Sequence, residues 1–162
     1  ELMIVMLERE RHAEMIAKTR ELGAKIQLIG DGDVAGIIDT TDPLESGIDI
    51  YIGTGGAPEG VLAAAALRCI GGQMQGRLIL DTPEKVARAK TMGVDDPEKK
   101  YTMSEMASGD VLFAATGVTD GNILDGVKFG RGEIQTSTIV MRSSSGTVRV
   151  IKARHQDTAK FN

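Results

Sequence analysis

Leu2-Met3-Ile4-Val5-Met6-Leu7 is the stretch on which the fold turns. An unbroken apolar run without alternation describes a strand covered on both faces, which is the habit of a parallel sheet between helices. A buried strand seldom opens a chain. Because Glu1 rather than Met precedes it, the reading expects residues upstream of Glu1 and takes the sequence as part of a longer protein.

Outward from that strand the pattern alternates. Arg11 to Leu22 places Met15, Ile16, Thr19 and Leu22 on one helical face, with Gly23 as the stop. Lys25 to Ile29 reads as a second strand, Val34 to Ile38 as a short helix, Thr40 to Ser46 as a turn and Ile48 to Ile52 as a third strand. The segment Pro58 to Ile70 is apolar on nearly every face and is expected deep in the core. Thr82 to Met92 forms a further helix, opened by a Thr-Pro-Glu cap signal, and a short one lies near Met103 to Met106. Val111 to Ala115 is a strand ending in Thr116-Gly117-Val118-Thr119-Asp120-Gly121, and Thr136–Arg142 with Thr147–Ala153 make a hairpin about Ser143-Ser144-Ser145-Gly146. The whole describes an α/β layered fold with a mixed sheet, whose ligand site belongs at the carboxyl ends of the strands.

Composition narrows the function. The chain has 162 residues, 41% of them hydrophobic, enough for a core without disulfides or a structural metal. A net charge of −4 argues against nucleic acid or an anionic membrane as the main partner. No apolar run reaches the roughly 18 residues of a membrane span. A single cysteine, Cys69, fits a reducing compartment, with the cytoplasm as the default. With 20 glycines and only 3% aromatic residues, recognition rests on close backbone approach rather than stacking.

Three segments can carry chemistry. Gly30-Asp31-Gly32-Asp33-Val34-Ala35 satisfies a dinucleotide fingerprint, yet its two aspartates would face a pyrophosphate and the helix after it is short. The plain alternative is a tight turn in which Asp31 and Asp33 bond loop amides. Gly53-Thr54-Gly55-Gly56-Ala57-Pro58-Glu59-Gly60 exposes N–H groups at a helix start, suited to an anion. Glu59 beside it is either a charge on the helix dipole or a carboxylate for Mg²⁺. Arg9 and Arg11, two apart in an extended segment, can point at one phosphate, or can pair with Glu8 and Glu10. His12 and His155 are too few for a metal cluster, Cys69 reads as a core residue, and no Ser-His or Cys-His couple suggests acyl transfer. The inventory suits phosphate hydrolysis, but a two-metal site needs more carboxylates than this chain offers.

At this point the residues resemble a family. Gly30 to Gly36, Gly55-Gly56-Ala57-Pro58-Glu59-Gly60-Val61 through Arg68, Gly72-Gln73-Met74-Gln75-Gly76-Arg77, Ala115 to Gly121, Val140 to Ser143 and Ser145 to Arg149 look like the class II fructose-1,6-bisphosphatases of the GlpX type. The resemblance covers nearly the whole of residues 1–162 as a carboxy-terminal half. It implies a layered fold similar to the inositol monophosphatases and fructose bisphosphatases. It also implies hydrolysis of the 1-phosphate of fructose 1,6-bisphosphate with Mg²⁺ or Mn²⁺, in gluconeogenesis and by a homo-oligomer. By position, Glu59 matches the metal-binding glutamate. Arg9, Glu10 and Arg11 match the basic substrate segment, Asp31-Gly32-Asp33 the substrate loop, and Gly56 the glycine whose backbone meets substrate. A proline is common at the position of Glu10, whose side chain is expected to do nothing specific. The family's other metal carboxylates and its catalytic threonine belong to the amino-terminal half, so residues 1–162 are expected to be inactive alone. The alternatives are a dual fructose-1,6/sedoheptulose-1,7-bisphosphatase and a non-catalytic sugar-phosphate-binding module.

Overall fold

The computed structural model describes residues 2–157. Glu1, on which the expectation of upstream residues rests, lies outside them. Strand β1 (Met3–Leu7) is the middle of a parallel three-stranded sheet, flanked by β2 (Lys25–Ile29) and β3 (Ile50–Tyr51). Met3 faces Lys25 and Leu7 faces Ile29 on one side, while Ile4 faces Ile50 on the other. The apolar run is explained by that position, since Val5 and Met6 are wholly buried. β3 is shorter than the Ile48–Ile52 expected. At its entry Asp49 turns its carboxylate onto the Met3 N–H at 2.8 Å, replacing a ladder bond with a side-chain one.

Helix α1 (Ala13–Glu21) covers one face of this sheet through Ile16, which joins Ile4 and Met6 in a small core. Leu22, expected on the same face, is 86% exposed because the helix ends one residue before it. After β2 the chain turns at Gly32, whose φ of 77° is left-handed and suits glycine, into α2 (Asp33–Asp39). The Thr40–Ser46 turn contains a single helical turn, α3 (Pro43–Ser46), whose Glu45 N–H is capped by Asp42.

Helix α4 (Ala57–Ile70) joins the two halves of the molecule. Its Ala66 and Cys69 pack with Phe113, Ile139 and Met141 of a second, antiparallel sheet. The expectation that α4 is buried all round fails in its first turns, where Val61 and Leu62 are 45% and 52% exposed. The second sheet comprises β6 (Leu112–Thr116), β7 (Lys128–Phe129), β8 (Ile134–Arg142) and β9 (Thr147–His155). β8 lies in its middle, with β9 returning as the expected hairpin from Arg142 opposite Thr147. Between α4 and this sheet, β4 (Gln75–Gly76) pairs with β5 (Tyr101–Thr102). The connection carries α5 (Pro83–Thr91), capped by the Thr82 hydroxyl, and β5 leads directly into α6 (Met103–Met106). Mixed parallel and antiparallel sheets with helices between them bear out the α/β expectation. Among the described residues no helix is long and apolar enough to cross a membrane.

Candidate functional site

All three strands of the parallel sheet run the same way, so their carboxyl ends open on one edge. The chain leaves β1 for β2 on one side and reaches β3 on the other, and the loops after the strands part at that point to leave a crevice. Every residue expected to bind substrate or metal lies on one of these three loops or at the helix start that follows: Arg9 to Arg11 after β1, Asp31 to Asp33 after β2, and Gly56 with Glu59 after β3.

The carboxylates meet over Gly55. A β-carbon placed on that glycine would lie 3.3 Å from Glu59 Oε2 and 3.5 Å from Asp33 Oδ2, so both groups reach one point from different loops. Asp33 is partly anchored, its Oδ1 accepting the Val34 N–H at 3.0 Å. Glu59, in the first turn of α4, reaches back to accept the Gly56 N–H at 3.0 Å. That bond corrects the picture of a loop of free donors: Gly56 is taken by Glu59 and the Thr54 N–H by a histidine. The Gly55 N–H makes no hydrogen bond among the described residues and remains open to an anion. Two convergent carboxylates are a fair share of a magnesium-type site, which takes one or two carboxylates beside phosphate oxygens. Among the described residues, however, no group of three or more His, Cys, Asp or Glu side chains is placed to hold a metal.

The arginines separate. Residues 10–12 form a 3-10 turn rather than extended chain, so alternate side chains no longer share a side. Arg9 spans to the second loop, donating to Gly30 O at 2.5 Å and to its own neighbour Glu8 O. Arg11 spans to the third, its Nε donating to Thr54 O at 2.8 Å. The pairing with Glu8 and Glu10 is not formed either: among the described residues neither arginine makes an ion pair with them. With Arg20 and Leu28, Arg9 and Glu10 line an open hollow of about 390 Å³ beside α1. Asp31 and Gly32 are exposed on the second loop.

Two residues were given no role by the sequence reading. Tyr51, the last residue of β3, is half-buried, its hydroxyl 3.0 Å from where a Gly53 β-carbon would be and its ring 3.4 Å from one on Gly36. Burial first, then the negative charges of Asp33 and Glu59, push its phenol up to about 12 against the counter-effect of Arg11, which keeps it protonated at neutral pH. A lone tyrosine ending a short strand before a glycine loop was the available signal. His12 is the second, completely buried against the third loop. Cys69 is a core residue as expected, its thiol raised by burial and set against Val111 O.

The chain is similar to proteins of one family. The family model for bacterial fructose-1,6-bisphosphatase, glpX-encoded, matches residues 1–155. The D-fructose 1,6-bisphosphatase class 2/sedoheptulose 1,7-bisphosphatase of Crocosphaera subtropica is 43% identical over 176 residues, covering 99% of this chain and 50% of that protein. The proteins of the same name from Synechococcus sp. strain JA-3-3Ab and from Synechococcus elongatus are 43% and 41% identical over 169 residues, each match covering 96% of this chain and 48% of the relative. The chain thus spans about half the length of the curated relatives it matches.

Proposed function

Because this chain belongs to the glpX-encoded bacterial fructose-1,6-bisphosphatase family, we propose that it supplies the sugar-phosphate pocket and part of the metal site of a phosphatase that hydrolyses the 1-phosphate of fructose 1,6-bisphosphate. The observation that carries this reading is the convergence of Asp33 and Glu59 over Gly55, at the end of a loop whose Gly55 N–H is unpaired. Arg9 and Arg11 supply positive charge to the crevice, Asp31 and Asp33 accept from sugar hydroxyls, and the backbone at Gly55 and Gly56 lets a phosphate approach closely.

Mg²⁺ or Mn²⁺ would be held by Glu59 with Asp33 beside it, and would polarise a phosphoryl oxygen and lower the pKa of a bound water. The further carboxylates and the group that delivers the nucleophile come, in this proposal, from the other half of the length that the relatives possess. Leu112 and Ile151, exposed at 68% and 47% and registered with Arg142 and Thr138 on the face of the antiparallel sheet opposite the Ile139–Met141 core, are where such a half would pack. The 162 residues alone are therefore inactive, and the complete enzyme is a homo-oligomer of the cytoplasm.

The relatives' shared name adds a second substrate, sedoheptulose 1,7-bisphosphate, which presents the same phosphate to the same groups on a sugar one carbon longer. The test is phosphate release from both sugars, with Mg²⁺ or Mn²⁺, by the longest natural form of the protein and by its Glu59→Gln variant. Metal-dependent turnover that falls about 100-fold or more in the variant is expected, the scale of losing a group that stabilises transition-state charge. No turnover by the parent with either metal would leave a sugar-phosphate-binding module instead, and full activity of Glu59→Gln would return that residue to the helix dipole. Turnover of one sugar but not the other decides between the single and dual reactions.

A further inference from the structure

His12 has no part in the chemistry above, yet it is 0% exposed and both of its ring nitrogens meet backbone atoms. Nδ1 lies 2.8 Å from the Leu7 carbonyl at the end of β1. A carbonyl only accepts, so Nδ1 carries the proton and Nε2 presents a lone pair. The Thr54 N–H fills that lone pair at 2.9 Å. Thr54 O, 3.2 Å from the same nitrogen, is then an acceptor facing an acceptor, and its bond goes instead to Arg11 Nε at 2.8 Å.

Thr54 is thus held at both ends of its backbone, the N–H by His12 and the C=O by Arg11. The Thr54 carbonyl and the Gly55 N–H belong to one planar trans peptide and point in opposite directions. With the carbonyl engaged by Arg11, the Gly55 N–H points the opposite way, and it is a loop donor without a partner among the described residues, on the residue whose β-carbon would meet Asp33 and Glu59.

We infer that His12 is a positioning residue for phosphate binding: through its bare Nε2 it fixes Thr54, so that the Gly55 N–H faces the ligand. This rests on the reading of the loop as a phosphate site.

Two variants separate the two ring nitrogens in the longest natural form of the protein. Asn at position 12 can keep the donor to Leu7 but has no atom where Nε2 stood; Gln can place a carboxamide oxygen there. His12→Asn raises KM for fructose 1,6-bisphosphate about 10-fold with kcat within about twofold, and His12→Gln stays within about threefold of the parent in both, a loss of binding rather than of chemistry. Equal KM values in the two variants, or losses that follow melting temperature alone, would reduce His12 to core packing.

A readout independent of turnover is the nitrogen NMR spectrum of the imidazole. A protonated Nδ1, an unprotonated Nε2 and a slowly exchanging Thr54 amide are expected; a protonated Nε2 overturns the inference whatever the kinetics show. If the parent protein hydrolyses neither sugar, the proposed reaction fails by itself. The spectrum, with inorganic phosphate affinity of parent and His12→Asn compared by calorimetry, still decides His12: equal affinities refute it, and weaker binding by the variant supports it.

Discussion

Two of the glycine-rich loops that follow strands in this molecule, those after β3 and β6, put their glycines to opposite ends. In the loop after β3, the nearest atoms to a β-carbon on Gly55 or Gly56 would be carboxylate oxygens of Glu59 and Asp33, at 3.2–3.5 Å. In the loop after β6 they would be backbone: Asp125 O at 2.3 Å from one on Gly117, and Thr119 C at 2.6 Å from one on Gly126. The second loop is closed on itself, with Asp120 accepting the Gly126 N–H at 2.8 Å and the Val127 N–H returning to Val118 O. The first is open toward side chains that carry charge. Glycine density alone therefore does not mark a ligand site; what the missing side chain would touch does.

The sharpest way to break this comparison is to add the methyl group. Gly117→Ala drives a β-carbon into a carbonyl that cannot swing away, and is expected to cost about 3 kcal/mol or more of stability, at or beyond the upper end of overpacking penalties. Gly55→Ala meets only the ends of flexible carboxylates, so stability should change by less than about 1 kcal/mol. Activity should nevertheless fall about 10-fold or more, since the methyl stands where Asp33 and Glu59 converge. Urea melts and phosphate-release assays on the longest natural form decide it. If Gly55→Ala unfolds the protein and Gly117→Ala leaves it intact, the distinction between an open and a closed loop is wrong.

The difference also explains what was legible beforehand. The Leu2–Leu7 run announced β1 because burial on two faces leaves no alternation, and the βαβ order followed from it. Glu59, Gly56 and Asp33 could be nominated beforehand because glycine loops before helices leave a local signal. The separation of Arg9 from Arg11 was not legible: it depends on a 3-10 turn at Glu10–His12 and on carbonyls more than twenty residues away, at Gly30 and Thr54. The role of His12, set aside beforehand as a metal ligand, was not legible for the same reason, since its partners Leu7 and Thr54 converge only once β1 and β3 pair. Two-residue strands such as β3, β4 and β7 are set by tertiary contact and have too little sequence to show a period.

A smaller effect tests the open loop from within. The Tyr51 hydroxyl sits in the field of Asp33 and Glu59 with its phenol pushed up to about 12, so it donates and does not act as a base at neutral pH. Tyr51→Phe should raise KM about threefold and leave the pH profile of kcat unchanged between pH 6 and 9, a loss near 0.6 kcal/mol on the scale of one modest hydrogen bond. A variant that loses its alkaline limb would show instead that the phenol titrates in turnover. Because the folded-state value is raised, any stability that depends on neutral Tyr51 is complete below about 10 and is lost as pH climbs toward 12.

The smallest effect lies on the closed side of the comparison, where carboxylates are committed to partners. Asp110 pairs with Arg142 at 2.7 Å and accepts from Ser143, and Glu133 pairs with Arg154 at 2.9 Å, whereas Asp33 and Glu59 make no ion pair among the described residues. The Arg142 guanidinium holds the Asp110 carboxyl down at about 2, below its ordinary 3.8. A lowered folded-state value gives stability that is present above about 4 and is lost as pH falls toward 2. The pair is exposed, so Asp110→Asn should lower the urea midpoint only slightly at pH 7, and the gap from the parent should narrow as pH falls from about 4 toward about 2. A gap that stays constant over that range would mean that Asp110 acts through its hydrogen bonds alone.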